Sequence, residues 1–590
     1  MAYYSTSRYL WRWLCFWLVL LQPGLHHLSI FVSAAATRPP CRYVPGDAGW
    51  PSASDWSHLN ETVGGRLIAT VLIAHVCHDP DYAEERCNSL KQQWGLPSLH
   101  VPEPAEILAP YFLNNSCDPF GSESKPCTLE NYVSYSVDVR GVDDIIATVR
   151  FANKHNIRLV IKNTGHDFLG KSTGKGGLAI WTHHLNSVEV LRDYSKFYYK
   201  GPAMRLGAGA MGGDAALAAS QNGYRVVAGT CSTVGIAGGF AQGGGHSLLS
   251  GIYGLGADNV LEWEVVTSDG KHVVATPNEN ADLYWALSGG GGGTFGVVVS
   301  MTTRVFEDGP VGRASLGFST ASTGGDENFW AAVDVFHNHL QPLVDDHGIV
   351  LTYTLGKDSL MVYVITAPNR TSDEVSLLLS PLLADLSQFG LSDQTLGFTA
   401  ADAATYYEHF MSTLGPVLSN VPSNQLTSGR IISRDNMANN RTGVGRALRG
   451  VTSSGHFSFL CTAVNLENTS VQPVTDNSVQ EHWRDGLVSC VVAGVWDWTI
   501  PWDQMAARQH ELTNIIDPLL TSATPGSGTY LNEANFQQSD WQSVFYGGKY
   551  AKLKAIKKVW DPLDLFYGPT AVGSESWSAD SAGRLCRTGN

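Results

Sequence analysis

The spacing of apolar residues changes along the chain, and each change marks an element. Residues 132–139 (YVSYSVDV) alternate apolar and polar side chains, the period of a half-buried strand. Residues 142–155 (VDDIIATVRFANKH) switch to apolar positions three and four apart, with Asp143 and Asp144 in the first turn, which predicts a helix. Residues 157–163 (IRLVIKN) form a short apolar run, again a strand, and the three together make a β-α-β unit. Further strands are expected at GLAIWT and MRLGAGA. A helix is expected over 212–223 (GGDAALAASQNG), and a hairpin around Asp269-Gly270 over 259–276.

From about residue 312 the texture changes. Strand-like runs at 348–355 and 360–366 alternate with helical runs such as 372–390. Near the C-terminus, 550–560 (YAKLKAIKKVW) reads as a helix stopped at Asp561-Pro562. Ahead of all this, residues 37–127 are rich in cysteine and loop formers, with a helical patch over 61–77. Glycine is concentrated in three stretches: 164–177, 228–246 and 285–299. Each lies between or beside strands of one region, so they read as specialised loops.

Composition narrows the class. Over 590 residues the chain is 43% hydrophobic and 16% charged, which is globular. Net charge is −15 with no run of Lys and Arg, which excludes a nucleic-acid binder of the usual basic kind. Residues 1–36 carry Arg8 and Arg12, an apolar run and a small-residue ending, the layout of a cleaved secretory signal. Proline, glycine and histidine interrupt that stretch, so no stable membrane association is expected. Export predicts disulfides. Nine cysteines remain after the leader, an odd number, so at least one has another task. Cys231, alone in the glycine-rich run AGTCSTVGIAGGFAQGGGH, is the candidate, and the other eight could form four bridges of open connectivity. Sequons at Asn60, Asn114, Asn369, Asn440 and Asn468 fit a secreted glycoprotein.

Backbone N–H groups of glycine-rich loops can cradle a pyrophosphate. None of the three loops shows G-x-G-x-x-G followed by a helix and a suitably spaced acid, so a dinucleotide site of the Rossmann kind is not expected. Spacings for metal ligands and the Ser-hydrolase elbow are also missing, so no metal is expected. His166, entered through Gly165 after a strand, is the second reactive side chain in a glycine-rich loop.

NTGHDFLG (163–170), AGTCSTVGIAGG (228–239), YGLGADNVLE (253–262), WALSGGGGGTFGVVV (285–299) and KVWDPLDLFYGP (558–569) together resemble the berberine bridge enzyme-like family of FAD-linked oxidoreductases, within the vanillyl-alcohol oxidase or p-cresol methylhydroxylase (PCMH) fold group. The N-terminal cap and the ending resemble secreted fungal members of the isoamyl-alcohol-oxidase type. The resemblance implies an α+β fold: a two-lobed PCMH-type FAD-binding domain plus an α+β substrate domain with an antiparallel sheet. The expected boundaries are signal 1–36, cap 37–127, FAD-binding domain 128–311, substrate domain 312–520, a C-terminal berberine-bridge-like segment 521–577 returning to the FAD domain, and a tail 578–590. It also implies FAD bonded twice to the chain, through His166 and Cys231. Asn163, Thr164, Gly165, Asp167, Gly170, Ser232, Thr233, Val234, Gly238, Gly239 and Val297 are the further cofactor contacts it suggests.

On the substrate side the family's Y-x-N segment is Tyr530-Leu531-Asn532, making Tyr530, Asn532 and His246 the catalytic candidates. His246 stands where relatives often carry an aromatic residue. Read as a strand, this segment would turn Asn532 and Glu533 to opposite faces. The activity implied is oxidation of a C–H bond next to oxygen or nitrogen in a small molecule. Dioxygen is the expected acceptor, giving hydrogen peroxide, in a monomeric secreted enzyme of fungal secondary metabolism. A dehydrogenase with another acceptor, acting on an alcohol or carbohydrate, is a second reading, and a retired ligand-binding glycoprotein a third.

Overall fold

The structure, a computed structural model, describes residues 40–413, 424–467 and 469–588. The leader expected over 1–36 and the sequon at Asn468 lie outside the described residues.

The first sheet holds β1 (Leu67–Ala69), β2 (Tyr135–Asp138), β3 (Leu159–Lys162) and β4 (Leu178–Trp181), in the order β1-β2-β4-β3. β2 and β3 both run parallel to β4, while β1 is antiparallel to β2. The helix Val142–His155 provides the crossover and buries Ile145, Val149 and Ala152 on the sheet. Asn156, in the left-handed conformation, ends it. The periodicity therefore placed this β-α-β unit correctly.

It misplaced the patch over 61–77. That stretch is not one helix: a helix ends at Thr62, β1 pairs Leu67 with Val137, and a 3-10 turn covers Ile73–Cys77. Gly64 and Gly65 have φ of +63° and +82°, a conformation no helix can pass through.

The chain continues through β5 (Val188–Lys196), β6 (Tyr199–Gly207), the two-residue β7 (Tyr224–Arg225), β8 (Val260–Val266), β9 (His272–Ala275), β10 (Val297–Arg304) and the two-residue β11 (Phe306–Glu307). β7 pairs with β11; the other five make an antiparallel sheet ordered β5-β6-β10-β8-β9.

A third sheet is wholly antiparallel: β12 (Val311–Ser319), β13 (Val350–Leu355), β14 (Ser359–Pro368), β15 (Thr399–Ala403), β16 (Gln425–Ser433), β17 (Ser458–Ala463) and β18 (Gly486–Val495). Its order is β15-β12-β14-β13-β17-β18-β16. One face carries Tyr353, Phe459, Cys461 and Val492 into a core shared with the helices Asp326–His347, Arg441–Thr452 and Trp502–Glu511. Cross-strand neighbours share a face, so the rows Thr354–Leu460–Val491 and Ser458–Ala493 stand on the other one.

Eight cysteines form four disulfides: Cys41–Cys586, Cys77–Cys87, Cys117–Cys127 and Cys461–Cys490. Cys231 is the described cysteine outside them. Cys41–Cys586 ties the start of the described chain to the terminal hairpin of β19 (Trp577–Ala579) and β20 (Leu585–Arg587). The helix Tyr550–Trp560 returns the chain to the first two sheets. Its buried Lys557 donates to Asp561 Oδ2 (2.6 Å) and to the carbonyls of Thr294 (2.6 Å) and Phe566 (2.7 Å). Phe566 in turn bridges to Leu159 of β3. Among the described residues no helix is long and apolar enough to cross a membrane.

Candidate active site

A cavity of about 510 Å³ runs from the ends of β3 and β10, past all three glycine-rich loops, to the open face of the third sheet. Its two ends differ in chemistry.

At the first end, β3 delivers the chain into residues 163–167. Gly165 has φ +81°, and a Cβ there would stand 3.0 Å from the Glu106 carbonyl oxygen, so the turn needs glycine. It carries His166 into the cavity, where Nε2 and the Thr233 hydroxyl are 2.7 Å apart. The same hydroxyl lies 3.4 Å from Cys231 Sγ, so one threonine joins the two expected attachment residues. Burial, with the Lys162 charge behind it, lowers the His166 pKa to about 4. The imidazole is therefore neutral and keeps a lone pair for bonding. Lys162 is fully buried with no hydrogen-bond partner on Nζ. Burial brings its pKa down to about 7, against the charges of Glu106 and Glu103.

Glycines form the wall opposite. A Cβ on Gly235 or Gly238 would come within 2.5 or 2.7 Å of Asn163 Nδ2, and one on Gly292 within 3.1 Å of Gly239 Cα. Asn163 Nδ2 donates to the Ala208 carbonyl, while its Oδ1 is buried without a partner. Lys171, enclosed at the cavity edge, would have its Nζ 3.7 Å from a Cβ on Gly291. Burial lowers its pKa to about 8, against the Asp167 charge. A side-chain-free cradle, an unsatisfied amide oxygen, a lysine cation, a neutral histidine and a thiol suit the pyrophosphate and ring of FAD.

Of the suggested cofactor contacts, Asn163, Thr164, Gly165, Asp167, Val234, Gly238 and Gly239 line the cavity. Asp167 also folds the loop, accepting from the backbone N–H of Leu169 (3.0 Å) and Ser172 (2.6 Å). Gly170, Ser232, Thr233 and Val297 do not line it. A Cβ on Gly170 would meet the Phe112 ring, and Ser232 packs where Gly213 lacks a side chain. Thr233 reaches the site only through His166 and Cys231. Val297 is fully buried between sheets, and its neighbour Val298 lines the cavity instead, because adjacent strand residues face opposite ways.

At the second end the expected strand at Tyr530 is absent. Leu531–Glu533 is a 3-10 turn, and Tyr530, Asn532 and Glu533 all line the cavity. The turn lies directly on β16, because a Cβ on Gly429 would sit 2.2 Å from the Glu533 carbonyl oxygen. Asn532 Nδ2 donates to the Tyr530 hydroxyl and to the Gly239 carbonyl, each at 2.7 Å. A Cβ on Gly243 would stand 2.5 Å from that amide nitrogen, so the triple glycine before His246 makes room for Asn532.

His246 Nε2 lies 3.0 Å from Glu533 Oε1, with the ring edge-on to Tyr530 and tilted against Trp483. Its Nδ1 is buried without a partner. Burial pulls the His246 pKa down, but the charge and hydrogen bond of Glu533 outweigh it and hold it above the ordinary value. Tyr530 is displaced the other way from use as a base. Burial and the Glu533 charge push its pKa up, only partly offset by the Asn532 hydrogen bond, so it stays a neutral phenol.

Sequence reasoning missed Lys171 and the pairing of Glu533 with His246. The G-x-x-x-x-G-K-S run over 165–172 and the acid following Y-L-N were the available signals. Among the described residues no group of three or more His, Cys, Asp or Glu could hold a metal ion.

Comparison with known proteins identifies the family. The FAD binding domain family matches residues 133–276, and the berberine and berberine-like family matches 529–573. The VAO-type flavoprotein oxidase VAO615 of Thermothelomyces thermophilus is 46% identical over 557 residues, covering 93% of this chain and 96% of the relative. The bifunctional decalin synthase calF of Penicillium decumbens is 44% identical over 578 residues, covering 96% and 99%. Among solved structures, the crystal structure of the VAO-type flavoprotein MtVAO615 from Myceliophthora thermophila C1 matches with a TM-score of 0.89 at 46% identity, over 93% of this chain and 100% of that one. Glucooligosaccharide oxidase from Acremonium strictum, described with a 6-S-cysteinyl, 8α-N1-histidyl FAD, shares the fold at 18% identity and a TM-score of 0.60, over 75% of this chain and 92% of that one.

Proposed function

The chain belongs to the VAO-type, berberine-bridge-like family of FAD-linked oxidoreductases, and from that premise we propose that it oxidises a C–H bond next to oxygen or nitrogen in a small molecule, using FAD bonded to both His166 and Cys231. Bound FAD supplies the two-electron acceptor. The chain supplies the rest. Neutral His166 and the Cys231 thiol anchor the ring, Lys171 and the glycine backbones hold the pyrophosphate, and Asn163 Oδ1 offers an acceptor to the cofactor.

The substrate's O–H or N–H proton goes to the His246–Glu533 pair. Glu533 accepts the Nε2–H of the neutral ring and stabilises the imidazolium that forms when the ring takes the proton. Tyr530 keeps its proton and serves as a hydrogen-bond donor at the reacting oxygen or nitrogen, oriented by Asn532. The observation carrying the reading is that this acid–base pair and the two attachment residues line one cavity.

We place the final electrons on dioxygen, giving hydrogen peroxide, and the enzyme in a secreted tailoring step of fungal secondary metabolism. Four disulfides and the signal-like sequence expected over residues 1–36 support the compartment, and relatives such as calF support the pathway class. The test has two readouts. Acid-precipitated protein should stay yellow, and air-equilibrated enzyme should release peroxide with substrate. Colourless precipitate would refute covalent attachment; turnover only with an added acceptor would make the enzyme a dehydrogenase.

A further inference from the structure

The open face of the third sheet forms the substrate end of the cavity, and its side chains restrict what can lie there. Val491, Ala493 and Val495 follow one another on the same face of β18, a track of about 13 Å at the usual rise of a strand. Leu460 of β17 stands beside Val491 and widens it. Exposure rises along the track from 7% at Val491 to 69% at Val495, so it leads from the reaction centre to the mouth. Met361 and Tyr363, both about half-exposed, project from β14 on the opposite side of that face.

Its polar side chains are Thr354, Tyr363, Gln425 and Ser458, and none of them is a carboxylate, a lysine or an arginine. Among the described lining residues, Lys171 is the lysine, and it faces the glycine cradle at the far end. Among the described residues no arginine lines the cavity. His246 and Glu533 line the same cavity beside the sheet. An anion placed on the track would lose its water with no cation to replace it, and Glu533 would repel it. An oligosaccharide would leave many hydroxyls against aliphatic side chains with few partners.

We infer that the substrate is neutral and mainly apolar, an elongated molecule whose single reacting hydroxyl or amine reaches His246–Glu533 while its apolar body lies along Leu460, Val491, Ala493 and Val495. This rests on the oxidase reading for the position of the reacting group. The apolar track also excludes oligosaccharides and carboxylic acids as its substrates.

Binding can be read without turnover, from perturbation of the flavin's visible spectrum in the intact holoenzyme under anaerobic conditions. Three probes suffice: decanol, decanoate and a cello-oligosaccharide. Decanol should bind at least tenfold more tightly than decanoate, and the oligosaccharide should give no saturable change. Ala493→Asp should weaken decanol at least tenfold, and Ala493→Arg should reverse the preference toward decanoate. Thermal midpoint and acid-stable yellow colour report folding of each variant; if neither folds, the order among the three probes on the unaltered enzyme decides. Equal or tighter binding of decanoate or the oligosaccharide, no response to decanol, or an indifferent folded Ala493→Asp variant overturns the inference. Because no peroxide is read, failure of the oxidase reading and failure of this one give different results.

Discussion

His246 Nε2 and Glu533 Oε1 lie 3.0 Å apart, joined across 287 residues of sequence at the floor of one cavity. The imidazole must be neutral to take a proton. Glu533 outweighs burial and holds its pKa above the usual ~6.5, so the reductive rate should rise with pH through that elevated value. Glu533→Gln should shift the rising limb to lower pH and reduce the maximum. His246→Gln should abolish the limb and cost about 10²–10⁴-fold in rate. The stability linkage has its own sign. A raised histidine pKa adds stability that is complete below about pH 6.5 and is lost as pH climbs through the folded value. Glu533→Gln should therefore lower the thermal midpoint more at pH 5.5 than at pH 9. Anaerobic stopped-flow reduction and calorimetry across pH check both.

Thr233 touches both residues assigned to the cofactor, and two single variants and their double variant separate the bonds. Cys231→Ala should keep a yellow acid precipitate with an altered spectrum, as should His166→Ala, whereas the double variant should lose all colour. Thr233→Val should reduce the acid-stable fraction and Thr233→Ser should preserve it, because the hydroxyl and not the methyl faces His166 Nε2. Peptide mass spectrometry at each site measures this, and full attachment in Thr233→Val would remove any role for that hydroxyl.

The cofactor end was readable because local signals define it: the β-α-β periodicity, glycines that must be glycine, and one cysteine left over from four pairs. The substrate end was less so. Whether Asn532 and Glu533 face the same way depends on Gly429, about a hundred residues earlier, whose missing Cβ lets the turn lie on β16. No local pattern announces that contact. At Val297 and Val298 the sequence marks a strand, but only the pairing of β10 decides which of the two adjacent valines turns its side chain to the cavity. The patch over 61–77 failed because apolar spacing was weighed above two adjacent glycines.

Gly429 tests that long-range contact. A methyl there would stand 2.2 Å from the Glu533 carbonyl oxygen and 3.2 Å from that of Cys490, both backbone, so neither can swing aside as a side chain would. Gly429→Ala should destabilise the protein by about 1–3 kcal/mol. It should also move Glu533 off His246, so the surviving folded fraction should show the same lowered pH limb as Glu533→Gln. A lower thermal midpoint with an unchanged pH profile would mean the turn shifts without disturbing the pair.

Lys171 gives the last prediction, on cofactor capture before any covalent bond forms. It is a cation facing the glycine backbones where a pyrophosphate would lie, and burial brings its pKa to about 8. An anion binds the charged form, so FAD uptake by unloaded protein should weaken as pH rises past about 8. Attachment would mask this, so the measurement belongs in the His166→Ala/Cys231→Ala double variant, where uptake is reversible and flavin fluorescence follows it. Adding Lys171→Met should weaken FAD binding by about tenfold or more, the loss of one charge-assisted contact, and flatten the decline above pH 8. Adding Lys171→Arg instead should keep affinity and move the decline to higher pH, since guanidinium holds its proton there. If Lys171→Met binds FAD as its parent does, the glycine backbones alone hold the pyrophosphate and the lysine belongs only to the loop's own fold with Asp167.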